Sequence, residues 1–313
     1  MKIYKNIDAF KGVDYPVVTV GTFDGVHIGH QKIIKRMTEE ARKNNGETVL
    51  ITFHPHPRLI IHPDSKKFKI INTQKRKFEL LEKAGIDHLI IIPFTKEFSR
   101  QTSEEFIKNI VVDKVKTKKL VIGYNHHFGK NRLGDFRNLY DLGRKYGFKV
   151  DKIPAQDVKN IAISSTKIRK ALNEGKIRKA NELLGYDYSI TGKVVHGSRI
   201  GHTIGFPTAN IDVENEYKLI AANGVYACRI EWNGQLFKGM GNIGFRPTID
   251  HGNLTIEVHI FDFDKDIYGD TITIFFIDRI RDERKFRDLD ALRLQLFKDK
   301  KTVLGMLKKS VYK

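Results

Sequence analysis

The stretch Gly21-Thr-Phe-Asp-Gly-Val-His-Ile-Gly-His30 decides how the first half of this chain is read. Ahead of it, Val17–Gly21 is a short β-branched run ending in glycine. Behind it, Gln31–Asn44 places Ile33, Ile34, Met37 and Ala41 on one side of a helix. The stretch therefore predicts a strand, a glycine-containing turn, and a helix beginning near His27 or Gly29. Glycines let phosphate oxygens approach the backbone, and amides at a helix start favour anions. His27 and His30, spaced i, i+3, share one helix face. Two imidazoles there can donate hydrogen bonds to phosphate oxygens as charge develops in a transition state. Gly21, Phe23, Asp24 and Gly29 complete the expected phosphate-binding set, with Asp24 able to orient the turn or an imidazole. Two plainer readings compete. An isolated His-x-x-His is more often a structural or chance pair, and a zinc site wants a third ligand that the neighbourhood lacks.

The alternation continues outward. Thr48–Phe53, His88–Pro93 and Lys119–Gly123 read as strands, and Gln74–Ala84, Ser103–Ile110 and Arg137–Tyr146 as helices. Thr102-Ser-Glu-Glu105 has capping-box spacing, which makes Thr102 a cap. Strands separated by helices predict a doubly wound parallel sheet, Rossmann-like, with ligands beyond the carboxyl ends of its strands. Gly21 and Gly123 both stand there. From Ser189 the pattern changes to short strands and glycine turns: Gly192–His196, Gly224–Trp232, Leu236–Gly241, Leu254–Phe261 and Thr271–Asp278. Asn233-Gly234 is a hairpin signal, and Leu289–Met306 reads as a C-terminal helix. That predicts a small antiparallel β-barrel. The expected fold class is α/β followed by mainly β, divided near Tyr186–Tyr188 into domains of residues 1–186 and 187–313.

Composition sets the outer bounds. A chain of 313 residues, 40% hydrophobic and 30% charged, suits two globular domains. No apolar run is long enough to span a bilayer, and the start, Met1-Lys-Ile-Tyr-Lys-Asn-Ile-Asp, lacks a signal-peptide apolar region. The single cysteine, Cys228, cannot form an internal disulfide, so a reducing cytoplasm is expected and no membrane. The formal net charge of +19 fits nucleic acid or small anionic substrates. The charge is spread out, with short runs at Lys116–Lys119 and Lys298–Lys301 and no arginine-rich arm. The expectation is small anionic substrates, no nucleic acid, and a monomer or weak homo-oligomer.

A second segment agrees with the first. Ile163-Ser-Ser-Thr-Lys-Ile-Arg169 puts the hydroxyls of Ser164, Ser165 and Thr166 at a helix start, followed by a cation. A plain N-cap accounts for one hydroxyl and leaves Arg169 unexplained. Phosphate binding by the hydroxyls, with Arg169 steadying a leaving pyrophosphate, accounts for the whole. The two segments together resemble the nucleotidylyltransferase superfamily. Thr52-Phe-His-Pro-His-Pro57 narrows the resemblance to the flavin-adenylylating module of bacterial bifunctional riboflavin kinase/FAD synthetases. That resemblance implies catalytic roles for His27, His30 and Arg169, flavin contact through Pro55 and Pro57, and a loop role for His54 and His56. The chain departs from the family at Gly123-Tyr-Asn-His-His-Phe-Gly129, where Asn125 takes the position expected to contact nucleotide. His126 and His127 receive no role.

The second half carries its own signature. Gly192-Lys-Val-Val-His-Gly-Ser-Arg-Ile-Gly-His-Thr-Ile-Gly205 suits a flap over phosphates, with Gly197 and Gly201 at its turns, or else an ordinary glycine-rich β-turn. It is not a Walker loop. Pro207-Thr-Ala-Asn210, Gly241-Asn-Ile-Gly-Phe-Arg-Pro-Thr248, Glu257-Val-His-Ile-Phe-Asp262 and Asp266-Ile-Tyr-Gly269 follow in the order found in riboflavin kinases. By that resemblance Thr208 and Asn210 hold Mg²⁺ and the ATP phosphates, and Glu257 is the general base for the riboflavin 5′-hydroxyl. Alternatively, Glu257 is an outward strand carboxylate in a salt bridge. Arg279, Arg281 and Phe286 are candidates for flavin or nucleotide contact, Arg281 for the flavin, while a solvated charged turn accounts better for Asp282-Glu-Arg-Lys285. The substrates implied are riboflavin, FMN and ATP. Two other functions compete. His27-Ile-Gly-His30 also spells the first motif of class I aminoacyl-tRNA synthetases, but no lysine-rich second motif follows. A flavin- or nucleotide-binding regulator without catalysis would not need His27, His30, Arg169, Asn210 and Glu257 together.

Overall fold

The computed structural model describes residues 1–62, 68–123, 136–153, 163–197, 200–245 and 254–309. The chain divides into two compact units, Met1–Ser165 and Thr166–Lys313.

The first unit is built on a six-stranded parallel sheet. Its strands are β1 (Lys2–Tyr4), β2 (Pro16–Val20), β3 (Glu47–His54), β4 (His88–Pro93), β5 (Lys119–Ile122) and β6 (Lys149–Lys152), in the order β1-β4-β3-β2-β5-β6. The central strands are nearly unbroken apolar runs because both faces are covered. Val18, Val20, Val49, Ile51, Ile90 and Ile92 meet Phe106, Val111 and Leu139 on one face. Val17, Leu50, Leu89 and Val121 meet Ile34 and Met37 of α1 (Ile28–Lys43) and Leu81 of α3 (Gln74–Lys83) on the other. The order reverses beside β2, with β3 on one side and β5 on the other. The switch point of a doubly wound sheet, where ligands bind, therefore lies over the carboxyl end of β2.

The expected helices form, with α5 spanning Phe136–Tyr146 and two refinements elsewhere. Thr102 caps α4 (Ser103–Phe106) through a complete capping box, and the chain then widens into a π-helical stretch over Ile107–Lys114. α1 starts at Ile28, within the expected His27–Gly29 start, with the His27 side chain as its cap. A short α2 (Pro57–Ile61) follows β3.

The second unit is a closed barrel of β7 (Ser189–Val195), β8 (Ala209–Asp212), β9 (Gly224–Trp232), β10 (Gln235–Phe245), β11 (Leu254–Ile260) and β12 (Thr271–Arg281). All its pairings are antiparallel, in the order β10-β11-β8-β7-β12-β9. Asn233 (φ 49) and Gly234 (φ 75) make the tight β9–β10 turn. The C-terminal helix, α9 (Leu289–Lys309), buries Val303 and Leu307 with Ala227, Met240 and Phe261. α6 (Ser165–Asn173), from Thr166 onward, and α7 (Ile177–Leu184) also pack within this unit, and a one-turn α8 (Ile200–Thr203) comes between β7 and β8. Asn181 Nδ2 donates to Phe276 O at 2.8 Å, and Ala222 N donates to Leu172 O at 3.0 Å. The division by contacts thus falls ahead of the change in composition near Tyr186–Tyr188.

Candidate active sites

In the first unit, Gly21 N at the end of β2 donates to Ile51 O at 3.0 Å. The chain then turns through Phe23 (φ 48), Gly25 (φ 87) and Val26 (φ 34). Left-handed φ is costly for a β-branched residue, on the order of 1–3 kcal/mol, and persists only where the surroundings enforce it. Here they do. The Phe23 ring is buried. Gln31 Nε2 donates to Val26 O at 2.9 Å. The buried Asp24 carboxylate accepts the amides of Ile71 at 3.0 Å and Asn72 at 3.3 Å. Of the two tasks the sequence left open for Asp24, its buried carboxylate performs the first and orients the turn. Ser165 Oγ donates to Asp24 O at 2.8 Å. That bond lies within the first unit and ties Ser165 to the glycine turn, far from it in sequence. Ser164 lies just ahead of α6, while Thr166 and Arg169 lie on α6 in the second unit.

His27 caps α1 by accepting the His30 amide at Nδ1, 3.3 Å away. An imidazole that accepts at Nδ1 carries its proton on Nε2 when neutral, so Nε2–H is its donor. The His30 ring stacks on His27 with centroids 3.7 Å apart and meets the Phe23 ring at 4.6 Å. A Cβ on Gly29 would come within 3.2 Å of the His27 ring, so glycine makes room for the stack. Burial, then the charges of His27 and Lys77, hold His30 well below the ordinary histidine pKa. Its Nδ1 is buried with no hydrogen-bond partner among the described residues.

Lys77 went unmarked in the sequence, where it follows Lys75 and Arg76 on a polar helix. Its Nζ donates to Thr22 O and Thr52 Oγ1, both at 3.3 Å. Burial pushes its pKa down to about 8, with Asp24 acting the other way. His56 caps α2, its Nδ1 accepting the Arg58 amide at 3.2 Å, and Pro57 occupies the first turn of that helix. Pro55 follows a cis peptide bond. Asn125, His126 and His127 lie outside the described residues.

In the barrel, the pairing of β8 with β11 sets Asn210 opposite Glu257. Thr208, just ahead of β8, donates its hydroxyl to Glu257 Oε2 at 3.4 Å. After β7 the backbone crosses Asn210 at Gly197, where a Cβ would lie 2.0 Å from Asn210 Nδ2 and displace the amide. Phe206 N donates to Gly201 O at 2.8 Å, closing a loop that brings Gly201 next to Thr208. His259 also contributes. Its Nδ1 pairs with Pro207 O at 2.7 Å, fixing the backbone just ahead of Thr208. The i, i+2 spacing of Glu257 and His259 on one strand face was the available signal.

Arg281, the candidate flavin contact, is held by an ion pair. Its Nε and Nη2 fork onto the buried Asp299 of α9 at 3.0 and 2.8 Å, which fastens β12 to that helix. Arg279 donates Nε to Asn223 O at 3.1 Å. Among the described residues no cluster of three or more His, Cys, Asp or Glu could hold a metal. Thr208, Asn210 and Glu257 nonetheless supply hard oxygen donors. Mg²⁺ commonly takes one or two such protein ligands, with phosphates and water completing its shell.

A doubly wound sheet with an imidazole pair at its switch point, followed by a closed barrel presenting Thr208, Asn210 and Glu257, defines a two-module transferase acting on nucleotides. Residues 13–167 match the FAD synthetase family and residues 184–307 the riboflavin kinase family. The chain is 38% identical over 304 residues to a bifunctional riboflavin kinase/FMN adenylyltransferase of Buchnera aphidicola, covering 96% of each chain. It is 39% identical to the Listeria monocytogenes protein of that name, over 90% of each, and 34% identical to that of Escherichia coli, over 91% of each. The chain belongs to the bifunctional riboflavin kinase/FMN adenylyltransferase family. A solved structure described as a macrolide-efflux protein from Streptococcus pneumoniae shares the fold, with a TM-score of 0.87 and 32% identity over 96% of this chain and 98% of that one. Among the described residues here, no helix is long and apolar enough to cross a membrane.

Proposed function

We propose that the barrel transfers the γ-phosphoryl group of ATP to the 5′-hydroxyl of riboflavin, giving FMN and ADP. The parallel-sheet unit then joins the AMP part of a second ATP to the FMN phosphate, giving FAD and pyrophosphate. The observation that carries this reading is that each unit matches its own family while holding a different set of polar groups.

In the barrel the nucleophile is an alcohol, which needs a base. Glu257 takes the hydroxyl proton, and the Thr208 hydroxyl bonded to its Oε2 orients the carboxylate. Asn210, opposite Glu257 in the strand register, and Thr208 hold the phosphates and Mg²⁺. When bound, Mg²⁺ offsets charge on the transferring phosphoryl group. Gly197 and Gly201 let the loop close over those phosphates. In the parallel-sheet unit the nucleophile is a phosphate, anionic at neutral pH, so positioning and charge stabilisation replace a base. His27 Nε2–H and the neutral His30 donate to the phosphate oxygens. Ser165 is tied by its hydroxyl to the turn that carries them. Pro55 and Pro57 shape the loop against which the flavin rests. The partners are small molecules. A cytoplasmic location suits the buried thiol of Cys228.

Incubation with riboflavin, ATP and Mg²⁺ tests the reading. FMN followed by FAD is the expected product sequence. No flavin product would overturn it and favour a binding protein without catalysis.

A further inference from the structure

We propose that Lys77 is a catalytic residue of the adenylyl-transfer site, its ammonium donating to a phosphate oxygen of ATP. This rests on the reading of that site given above.

A lysine ammonium has three N–H donors. Lys77 spends two on neutral acceptors, Thr22 O and Thr52 Oγ1. Among the described residues it makes no ion pair. Asp24 is the opposite charge that acts on it, but both oxygens of that carboxylate already accept backbone amides. A cation partly withdrawn from water without a bonded counter-ion costs free energy. Such an arrangement makes physical sense where the anion arrives with the substrate.

Position points the same way. Thr22 directly follows Gly21 at the end of β2, and Thr52 lies on the neighbouring β3. The amine thus stands over the carboxyl ends of two central strands, beside the turn that carries His27 and His30. The charged or titratable groups facing it are Asp24 on the turn, His30 on α1 and His54 at the end of β3. Only Asp24 is an acid. With a pKa pushed down to about 8, the amine stays largely protonated at neutral pH, and a phosphate beside it would draw that pKa back up. A lysine that merely tied Thr22 to Thr52 would affect folding and leave ATP binding alone.

The full chain serves for the test. NMR of ¹⁵N-lysine side chains follows the titration of Lys77, assigned with Lys77→Arg, without flavin and with or without ATP. The expected midpoint is about 8 in the free protein and above about 9 with ATP; an unchanged midpoint overturns the proposal. Kinetically, Lys77→Met is expected to lower kcat/KM for FMN adenylylation by on the order of 100-fold. It should also abolish the decline in rate above the lysine midpoint and leave riboflavin phosphorylation intact, and Lys77→Arg should recover part of the loss. A folded Lys77→Met enzyme that adenylylates FMN like the wild type overturns the assignment. A wild-type protein that makes no FAD would overturn the reading of the site instead, and the NMR titration with ATP still judges Lys77.

Discussion

The parallel-sheet unit gathers two stacked imidazoles and an amine around its glycine turn, whereas the barrel gathers a hydroxyl, an amide and a carboxylate. The difference fits the nucleophile of each proposed reaction. A phosphate is already charged and needs donors to gather it in and to stabilise developing charge. An alcohol must lose a proton and needs an acceptor. The scaffolds differ to match. In the sheet unit the imidazoles sit at a strained turn and a helix start, where backbone amides also favour anions. In the barrel, strand register sets Asn210 and Glu257 face to face.

The comparison can be broken by disabling one side at a time. The largest effect is expected from Glu257→Gln, which should lower riboflavin phosphorylation by on the order of 10³-fold. The same variant, given FMN, should still make FAD at the wild-type rate; loss of both activities in a folded protein would erase the distinction. Next comes Arg281→Ala. It leaves Asp299 buried without its partner and should destabilise the barrel by about 3 kcal/mol, read from denaturant melts. A raised KM for riboflavin at unchanged stability would show Arg281 to be a flavin contact and not a tie to Asp299. His30→Ala should lower FMN adenylylation by on the order of 10²-fold and leave riboflavin phosphorylation unchanged, as product analysis will show.

The smallest effect concerns acidity. The pKa of His30 in the folded chain lies below its unfolded value of 6.5. As pH falls, the unfolded chain therefore takes up the proton first. The contribution of neutral His30 to stability is complete above about 6.5 and is lost as pH falls toward the folded pKa. Denaturant melts of the wild type should weaken over that interval, and His30→Gln should flatten the trend. An equally steep fall in the variant would show that another group is responsible.

Much of this was legible in the sequence, because local and global signals agree. The buried runs of β3 and β4 and the capping box at Thr102 announce themselves. So does the alternation of strand and helix that places Gly21 at a switch point. What stayed hidden depends on partners distant in sequence. β1 is a strand only because Lys2, Ile3 and Tyr4 pair with His88, Leu89 and Ile90. β6 and β8 are four residues each, too short to carry a period. The inward turn of Asp24 depends on the amides of Ile71 and Asn72, and the task of Arg281 on Asp299 in the last helix. Lys77 looked like its neighbours until folding set it against Thr22 and Thr52. The cap on α1 was missed because histidine is not among the usual capping residues.

The most direct test of two separate sites is complementation between two folded variants. Glu257→Gln alone, given riboflavin, ATP and Mg²⁺, should make neither FMN nor FAD. His30→Ala alone should stop at FMN. Mixed in one tube, they should convert riboflavin to FAD, the FMN made by one variant being used by the other. A mixture that stops at FMN, or a Glu257→Gln enzyme that still phosphorylates riboflavin, would contradict the account.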